Sequence, residues 1–589
     1  MKSRLLNSIN HNLIYRITFL LSLFGLLVFV LDFGFNKSKN LQTTVNLVYF
    51  IVLTMGLVAT AIRYLKQNKV LKRKVIVFDA LSIIVILSIV YLHFFSEQSH
   101  EKLSIFYDDI WVKLAIILTF IREFAERKVT YKRTFLNPAQ LFIVSFLMLI
   151  LLGSFLLMLP NATYTHISFL DALFTATSAV CVTGLVVVDT GTFFTQFGQT
   201  VIIIMIQIGG LGILTFASYF SYFFKDGSTY ENQLVLGDMT NSQKMSEVFN
   251  TLKGILFITF IIESLGALLI YTSLDRKLFD SFFEHLFFAA FHSVSAFCNA
   301  GFSTLSNSLY ETEFRFNYTL QFVIICIFML GGLGFPIVVN LVKYTKYFFL
   351  SRVFRRKRQT AYRPWVLNIN SRIALITTTA LTIAGTLLFF MNEYHYILSD
   401  QKGMVGKFVT SLFAATTPRT SGFNTIDMGA LQMSSVLLII LLMWIGASPA
   451  STGGGIKTNT FAIAILNFLS LAKGKSRIEI YRREIANVSI RRAFAVISLS
   501  LIVIGIGIFA VSEFDPQIKL IDIAFECFSA YSTVGLSLGI TSSLSVSSKF
   551  VIIVIMFIGR VSMLSIIIAV FKKVKHKNYR YPTEEITIN

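Results

Sequence analysis

Three stretches of this chain superpose without gaps and converge on a glycine. They read Phe174-Thr-Ala-Thr-Ser178-Ala179-Val180-Cys181-Val182-Thr183-Gly184, Phe291-His-Ser-Val-Ser295-Ala296-Phe297-Cys298-Asn299-Ala300-Gly301, and Phe525-Glu-Cys-Phe-Ser529-Ala530-Tyr531-Ser532-Thr533-Val534-Gly535. A diverged fourth, Thr416-Thr417-Pro418-Arg419-Thr420-Ser421-Gly422-Phe423, keeps the glycine followed by an apolar residue. The chemistry open to such loops is the replacement of an alkali cation's hydration shell by rings of backbone carbonyls. Glycine suits the narrowest point because it reaches φ > 0 and carries no side chain. The expected oxygen cage is Val182, Thr183 and Gly184; Asn299, Ala300 and Gly301; Thr420, Ser421 and Gly422; Thr533, Val534 and Gly535. A short apolar run precedes each turn, and its helical C-terminus would add partial negative charge, which favours cations. Packing or helix-capping glycines are the bland alternative.

Other residues extend this reading. Asp189 and Asp427 each stand five residues past their glycine and would concentrate cations at the outer mouth, or be solvated loop carboxylates; their counterparts are Ser306 and Ile540. Asp171 and Asp522 read as helix caps or struts. Gly446-Ala-Ser-Pro449-Ala-Ser-Thr452-Gly453-Gly454-Gly455-Ile-Lys457 cannot stay helical at that density of Gly and Pro. It should break into a loop facing the pore, with Gly453, Gly454, Gly455 and Lys457 as a gate or else as a fixed kink. Arg560 lies deep in the last apolar run, where insertion costs about 2.5–3.5 kcal/mol. It is expected to place a barrier charge in the ion path or to pair with Glu263.

The elements that must hold these residues follow from composition. Of 589 residues 55% are hydrophobic and 14% charged, with mean hydropathy +0.70, which excludes a soluble globular protein. Runs of about 20 apolar residues match a hydrocarbon core about 30 Å thick. Twelve spans fit: 13–32, 45–65, 76–95, 109–122, 139–159, 199–224, 252–273, 318–342, 373–392, 433–470, 493–512 and 549–571. The net charge of +21 comes largely from clusters after the second, fourth, eighth, tenth and last spans. All fall on one side, so the positive-inside rule places both termini in the cytoplasm, and a nucleic-acid partner is not expected. Cys181, Cys298, Cys326 and Cys527 have no metal or disulfide spacing. No HExxH, Ser/His/Asp or paired-carboxylate set supports a membrane-embedded enzyme. Inverted repeats of the kind found in organic-solute transporters are absent too, because each repeat starts and ends inside. The expected class is all-α and polytopic: four membrane–pore–loop–membrane repeats around one pore, plus about four extra amino-terminal helices.

From about 135 to 575 the chain resembles the Trk/Ktr/HKT superfamily of potassium transporters, most nearly its TrkH/KtrB-type subunits. The resemblance rests on Thr177 to Leu185, Ala296 to Phe302, Arg419 to Asn424, Ser532 to Leu536, the break ending Gly453-Gly-Gly-Ile-Lys457-Thr458, and Gly559-Arg560. It implies K+ uptake, with K+ held by the backbone carbonyls of the filter and no covalently bound cofactor. A homodimer and a cytoplasmic nucleotide-binding ring of TrkA/KtrA type are also implied, in a bacterial inner membrane. Glycine at all four filter positions goes with K+ in plant relatives; a Na+ or Na+/K+ pathway is the alternative. Family members commonly continue the arginine motif with Gly-Pro-Leu-Thr, where this chain has Ser562-Met-Leu-Ser565. The expected organisation is 1–134, an extension of unknown role; 135–230, 231–350, 351–475 and 476–575, four pore repeats, the third with the broken helix; and 576–589, a cytoplasmic tail. Only Lys113 and Arg122, nine residues apart, could serve a voltage sensor in the extension.

Overall fold

The computed structural model describes residues 11–35, 39–66, 73–95, 109–126, 138–223, 248–353, 368–449, 451–561 and 566–567. The tail 576–589, residues 96–108, Ser562 to Ser565, and most of the basic clusters other than the one after the tenth span lie outside them. Among the described residues the protein is all-α apart from a hairpin of two-residue strands, β1 (Glu479–Ile480) and β2 (Arg483–Glu484). Two compact units form: Met1–Lys132 with Leu159–Tyr164, and Arg133–Met158 with Thr165–Asn589.

The first unit is a four-helix bundle of α1 (His11–Gly34), α2 (Lys39–Lys66), α3 (Arg73–Phe95) and α4 (Asp109–Glu126). Helix α4 packs against the other three around Tyr49, Leu53, Ile86 and Ile116. Both basic residues singled out on α4 are matched by acids. Lys113 Nζ lies 3.0 Å from Asp32, and Arg122 contacts both oxygens of Asp79, which also accepts from Tyr64 Oη at 2.5 Å. Breaking such a buried pair strands a charge, at a cost of about 3–5 kcal/mol. Asp79→Ala is therefore expected to lower the unfolding temperature of the detergent-solubilised protein sharply, with Asp79→Asn intermediate.

The second unit contains α5 (Pro138–Leu157), α6 (Phe169–Val180), α7 (Gln196–Phe223), α8 (Val248–Ser273), α9 (Phe282–Cys298), α10 (Tyr318–Leu333), α11 (Phe335–Val353), α12 (Ile369–Glu393), α13 (Gly403–Thr416), α14 (Met433–Trp444), α15 (Thr458–Ala472), α16 (Asn487–Phe514), α17 (Leu520–Ser532) and α18 (Val546–Val561). Within α1, α2, α8, α12 and α16 are runs long and apolar enough to cross a bilayer. Each repeat is an incoming helix, a short helix (α6, α9, α13 or α17), a loop, and an outgoing helix.

The outgoing helix of each repeat packs on the short helix of the next: α7 on α9, α10 on α13, α14 on α17, and α18 back on α6. The circle closes on itself, with repeats two and four facing each other. The tenth span breaks as expected, residues 445–457 separating α14 from α15. The eighth span, expected as one helix over 318–342, is also broken: α10 and α11 meet at 104°. The cause is local. Gly334 takes φ +78°, and Pro336 has no amide to continue the ladder, whereas Gly212 is followed by Ile213-Leu214 and α7 runs on.

Candidate functional site

The four loops repeat in backbone as well as in sequence. The residue two before each glycine has positive φ: Val182 at 57°, Asn299 at 59°, Thr420 at 140° and Thr533 at 48°. Gly184, Gly301, Gly422 and Gly535 follow at 90°, 70°, 76° and 93°. The third loop differs by one residue. Where Thr183, Ala300 and Val534 amides reach back five residues to Ser178, Ser295 and Ser529, the Ser421 amide reaches back four, to Thr417. A 3-10 turn, Thr417–Arg419 with Pro418 near its start, shortens the connection. Thr417, not Thr416, thus does the work of the repeated serine.

Mutual distances place the glycines in one ring. A Cβ on Gly184 would fall 2.3 Å from the Ala300 carbonyl oxygen, on Gly301 2.8 Å from that of Ser421, on Gly422 2.1 Å from that of Val534, and on Gly535 2.3 Å from that of Thr183. Each glycine therefore abuts the carbonyl preceding the next repeat's glycine, and no other residue fits. Serine struts hold the ring from behind, Gly184 N donating to Ser178 Oγ and Gly535 N to Ser529 Oγ. Several buried hydroxyls, Thr183, Thr533, Ser421 and Ser532, lack a hydrogen-bond partner among the described residues. Unmet oxygen here suits a lining that solvates something passing through.

Outside the ring lies a cavity of about 630 Å3, bordered by all four glycines and by Asp189, Ser306, Asp427 and Thr541. Asp189 and Asp427 face it and also cap short turns, accepting from Gly191 and Thr192 amides and from the Gly429 amide. Desolvation pushes the Asp189 carboxyl above its ordinary range, against the effect of its own hydrogen bonds. Its charge is accordingly lost at less acid pH than a free aspartate's. If Asp189 concentrates cations, uptake falls as the medium is acidified towards that raised value, and Asp189→Asn flattens this part of the pH profile. In the second repeat, the Ser306 amide and hydroxyl both hold Glu311 Oε1 at 2.7 Å, an acid that sequence register alone misses. Asp171 is a strut, bonded to Ser168 at the start of α6 and to Lys549 Nζ at 2.8 Å.

Inside the ring lies the Gly-rich loop. It is pinned at its ends by Gly446 N to Ile456 O, Thr458 N to Ala447 O and Ser448 N to Gly332 O. Its tip meets three of the four loops: Cβ atoms on Gly453 and Gly454 would fall 2.4 Å from the Thr420 and Thr533 side chains, and Thr452 Oγ1 is 2.7 Å from the Asn299 amide. Lys457 Nζ donates to Gly453 O, and Gly455 turns at φ +70°. Arg560 donates to the Thr452 carbonyl and to that of Gly209. The expected alternative partner, Glu263, instead accepts from Gln207 Nε2 at 3.2 Å. Glu263 is on α8 of the second repeat and Arg560 on α18 of the fourth, and the two bond to different residues of α7, Gln207 and Gly209. Arg560 occupies the place taken by Gly210 and Gly332 in the first two repeats: the preceding Gly209, Gly331 and Gly559 each press on the last carbonyls of a short helix, at Val180, Phe297 and Tyr531.

With this geometry in hand, comparison with known proteins is decisive. The TrkH family model, described as cation transport protein, matches residues 104–581. The chain belongs to the TrkH family. The match begins upstream of the expected boundary near 135 and takes in α4. Ktr system potassium uptake protein B of Bacillus subtilis is 36% identical over 456 residues, covering 76% of this chain and 96% of the relative. Potassium/sodium uptake protein NtpJ of Enterococcus hirae is 34% identical over 462 residues, covering 77% and 97%. The crystal structure of the potassium transporter TrkH from Vibrio parahaemolyticus aligns with TM-score 0.58 at 16% identity, over 84% of this chain and 97% of that one, and so shares the fold. Membership in the TrkH family makes this chain a multi-pass membrane transporter and sets aside the enzyme alternative.

Proposed function

We propose that this TrkH-family chain takes up K+ across the bacterial plasma membrane through the ring of Gly184, Gly301, Gly422 and Gly535. The observation that carries the reading is the closed circle of glycine against carbonyl, with no side chain at the constriction. The carbonyls of Val182 to Gly184, Asn299 to Gly301, Thr420 to Gly422 and Thr533 to Gly535 replace the ion's water. The Gly453-Gly454-Gly455 loop, held by Arg560 and Lys457, is the gate. Its seat directly beneath Thr420 and Thr533 supports a closed state, in which the loop fills the path the ion would take. The name Ktr system borne by relatives supports an assembly with a cytoplasmic nucleotide-binding regulator. The exposed segment around β1 and β2, with Arg477, Arg482 and Arg483, lies on the side we assign to the cytoplasm, with both termini. A homodimer completes the proposed assembly.

A second reading, combined Na+/K+ movement, draws on the potassium/sodium uptake relative. Growth of a K+-uptake-deficient bacterium tests the leading one. Expression is expected to restore growth at micromolar to low millimolar K+; no rescue in the presence of well-expressed protein and its regulator would count against it.

A further inference from the structure

The four quadrants of the outer mouth are not equal by sequence: five residues past the ring glycine stand Asp189, Ser306, Asp427 and Ile540. In three quadrants the structure nonetheless supplies a carboxylate, because Ser306 holds Glu311. Beside Ile540, in the fourth, Thr541 lines the cavity and donates at 2.5 Å to Glu526 Oε1, which comes from behind, out of the short helix α17. Glu526 is 0% exposed, and its Oε2 has no hydrogen bond among the described residues, with the Ser537 hydroxyl beside it. No lysine or arginine forms an ion pair with it among the described residues.

The facing repeat uses the same position differently. Nine residues before its glycine stands His292, also fully buried. Its Nδ1 is 2.9 Å from the Phe288 carbonyl, which can only accept, so the neutral ring carries its proton there. Nε2 then accepts from Ser303 Oγ at 2.9 Å. In the first repeat this position is Thr175, bonded within its own helix, and in the third, whose loop is one residue shorter, it is Ala414. A neutral strut is therefore enough to tie the short helix to the segment after the glycine, as His292 does. A carboxylate is more than the strut requires, and burying one without a cation is costly.

We infer that Glu526 is the fourth acid of the mouth, a specificity- and affinity-determining residue whose buried negative charge acts on cations in the cavity through Thr541. Resting on the proposed cation uptake, it completes a collar of Asp189, Glu311, Asp427 and Glu526 around the ring. A cation at the outer end of the ring stabilises the Glu526 charge, and by reciprocity the charge raises occupancy of that position. The collar acts on binding, leaving the passage through the glycine ring itself alone.

The test is Rb+ flux into proteoliposomes holding the purified full chain. Glu526→Gln keeps the acceptor for Thr541 and removes the charge; it is expected to raise the half-saturating Rb+ concentration about three- to tenfold, with maximal flux little changed. Glu526→Asp is expected to shift it much less, and adding Ile540→Asp to Glu526→Gln to restore it, by placing the acid where the first and third repeats carry theirs. A purely structural strut would not be rescued from Ile540. An unchanged half-saturation in Glu526→Gln, or failure of the rescue with maximal flux intact, overturns the inference. Should Glu526→Gln not fold, Ile540→Asp alone must lower the half-saturating concentration, and an unchanged value overturns it equally. Absence of Rb+ flux in the unsubstituted chain would instead strike at the uptake proposal.

Discussion

Gly184→Asp is expected to abolish K+ uptake while leaving the protein in the membrane. The substitution brings two penalties into one place. At φ +90° any L side chain is strained by about 1–3 kcal/mol. Its Cβ must also occupy space 2.3 Å from the Ala300 oxygen and 3.2 Å from the Gly301 Cα, both backbone atoms that cannot swing aside. Backbone has to move, and what moves is the carbonyl geometry of two adjacent repeats. Gly184→Ala isolates the steric part and is expected to leave less than about a tenth of uptake, since strain together with the 2.3 Å clash against backbone exceeds the ~1.4 kcal/mol that a factor of ten requires. Initial rates of Rb+ uptake in cells, normalised to membrane-inserted protein, read both. By contrast Gly539, also at positive φ but with open space around its Cβ position, should tolerate alanine with far smaller loss. Equal damage at Gly184 and Gly539 would mean that backbone strain, not the ring, sets the phenotype.

The second large effect is expected at Arg560. Its two carbonyl bonds tie the tip of the Gly-rich loop, through Thr452, to Gly209 on the outgoing helix of the first repeat. A hydrogen bond to a charged group contributes about 1.5–3 kcal/mol. If the loop must leave its seat for ions to pass, losing both bonds, together about 3–6 kcal/mol, shifts the closed–open balance by about two orders of magnitude or more. Arg560→Gln is therefore expected to raise flux in the absence of any regulator and to blunt the response to one. Arg560→Lys, with a point charge and no planar fork, should fall between. A loss of folded protein with no rise in flux per molecule would make Arg560 a packing residue only. Relief of closure should also follow Thr452→Gly, which leaves Arg560 its carbonyl acceptor but removes the contact with Asn299.

Much of this was legible in the sequence because the repeated features are local. Glycine recurrence in register depends on backbone conformation, which a few residues dictate, and the Gly-Pro density after Trp444 rules out a helix whatever surrounds it. What stayed hidden depends on azimuth and on contacts between repeats. Glu263 and Arg560 are complementary in charge and both sit in apolar runs, yet neither run says which way its helix faces around the ring. The bend at Gly334 was masked because Phe335 and its neighbours keep the hydropathy of one span while Pro336 ends the ladder. The third loop hides its match because Pro418 shortens the turn by one residue, moving the serine's role to Thr417. Glu526 and Glu311 reach the mouth through hydroxyls on other segments, a relation that no spacing within one repeat encodes.

The central claim is that the carbonyl lining edged by the ring of four glycines passes K+ in preference to Na+. It is tested most directly by ion flux into proteoliposomes of the purified chain with K+, Rb+ and Na+ presented separately at equal gradients. K+ and Rb+ are expected to enter at comparable rates, with Na+ slower by at least about tenfold, the effect of 1.4 kcal/mol of discrimination. Equal entry of Na+ and K+, or entry of K+ that survives Gly184→Asp undiminished, would contradict it.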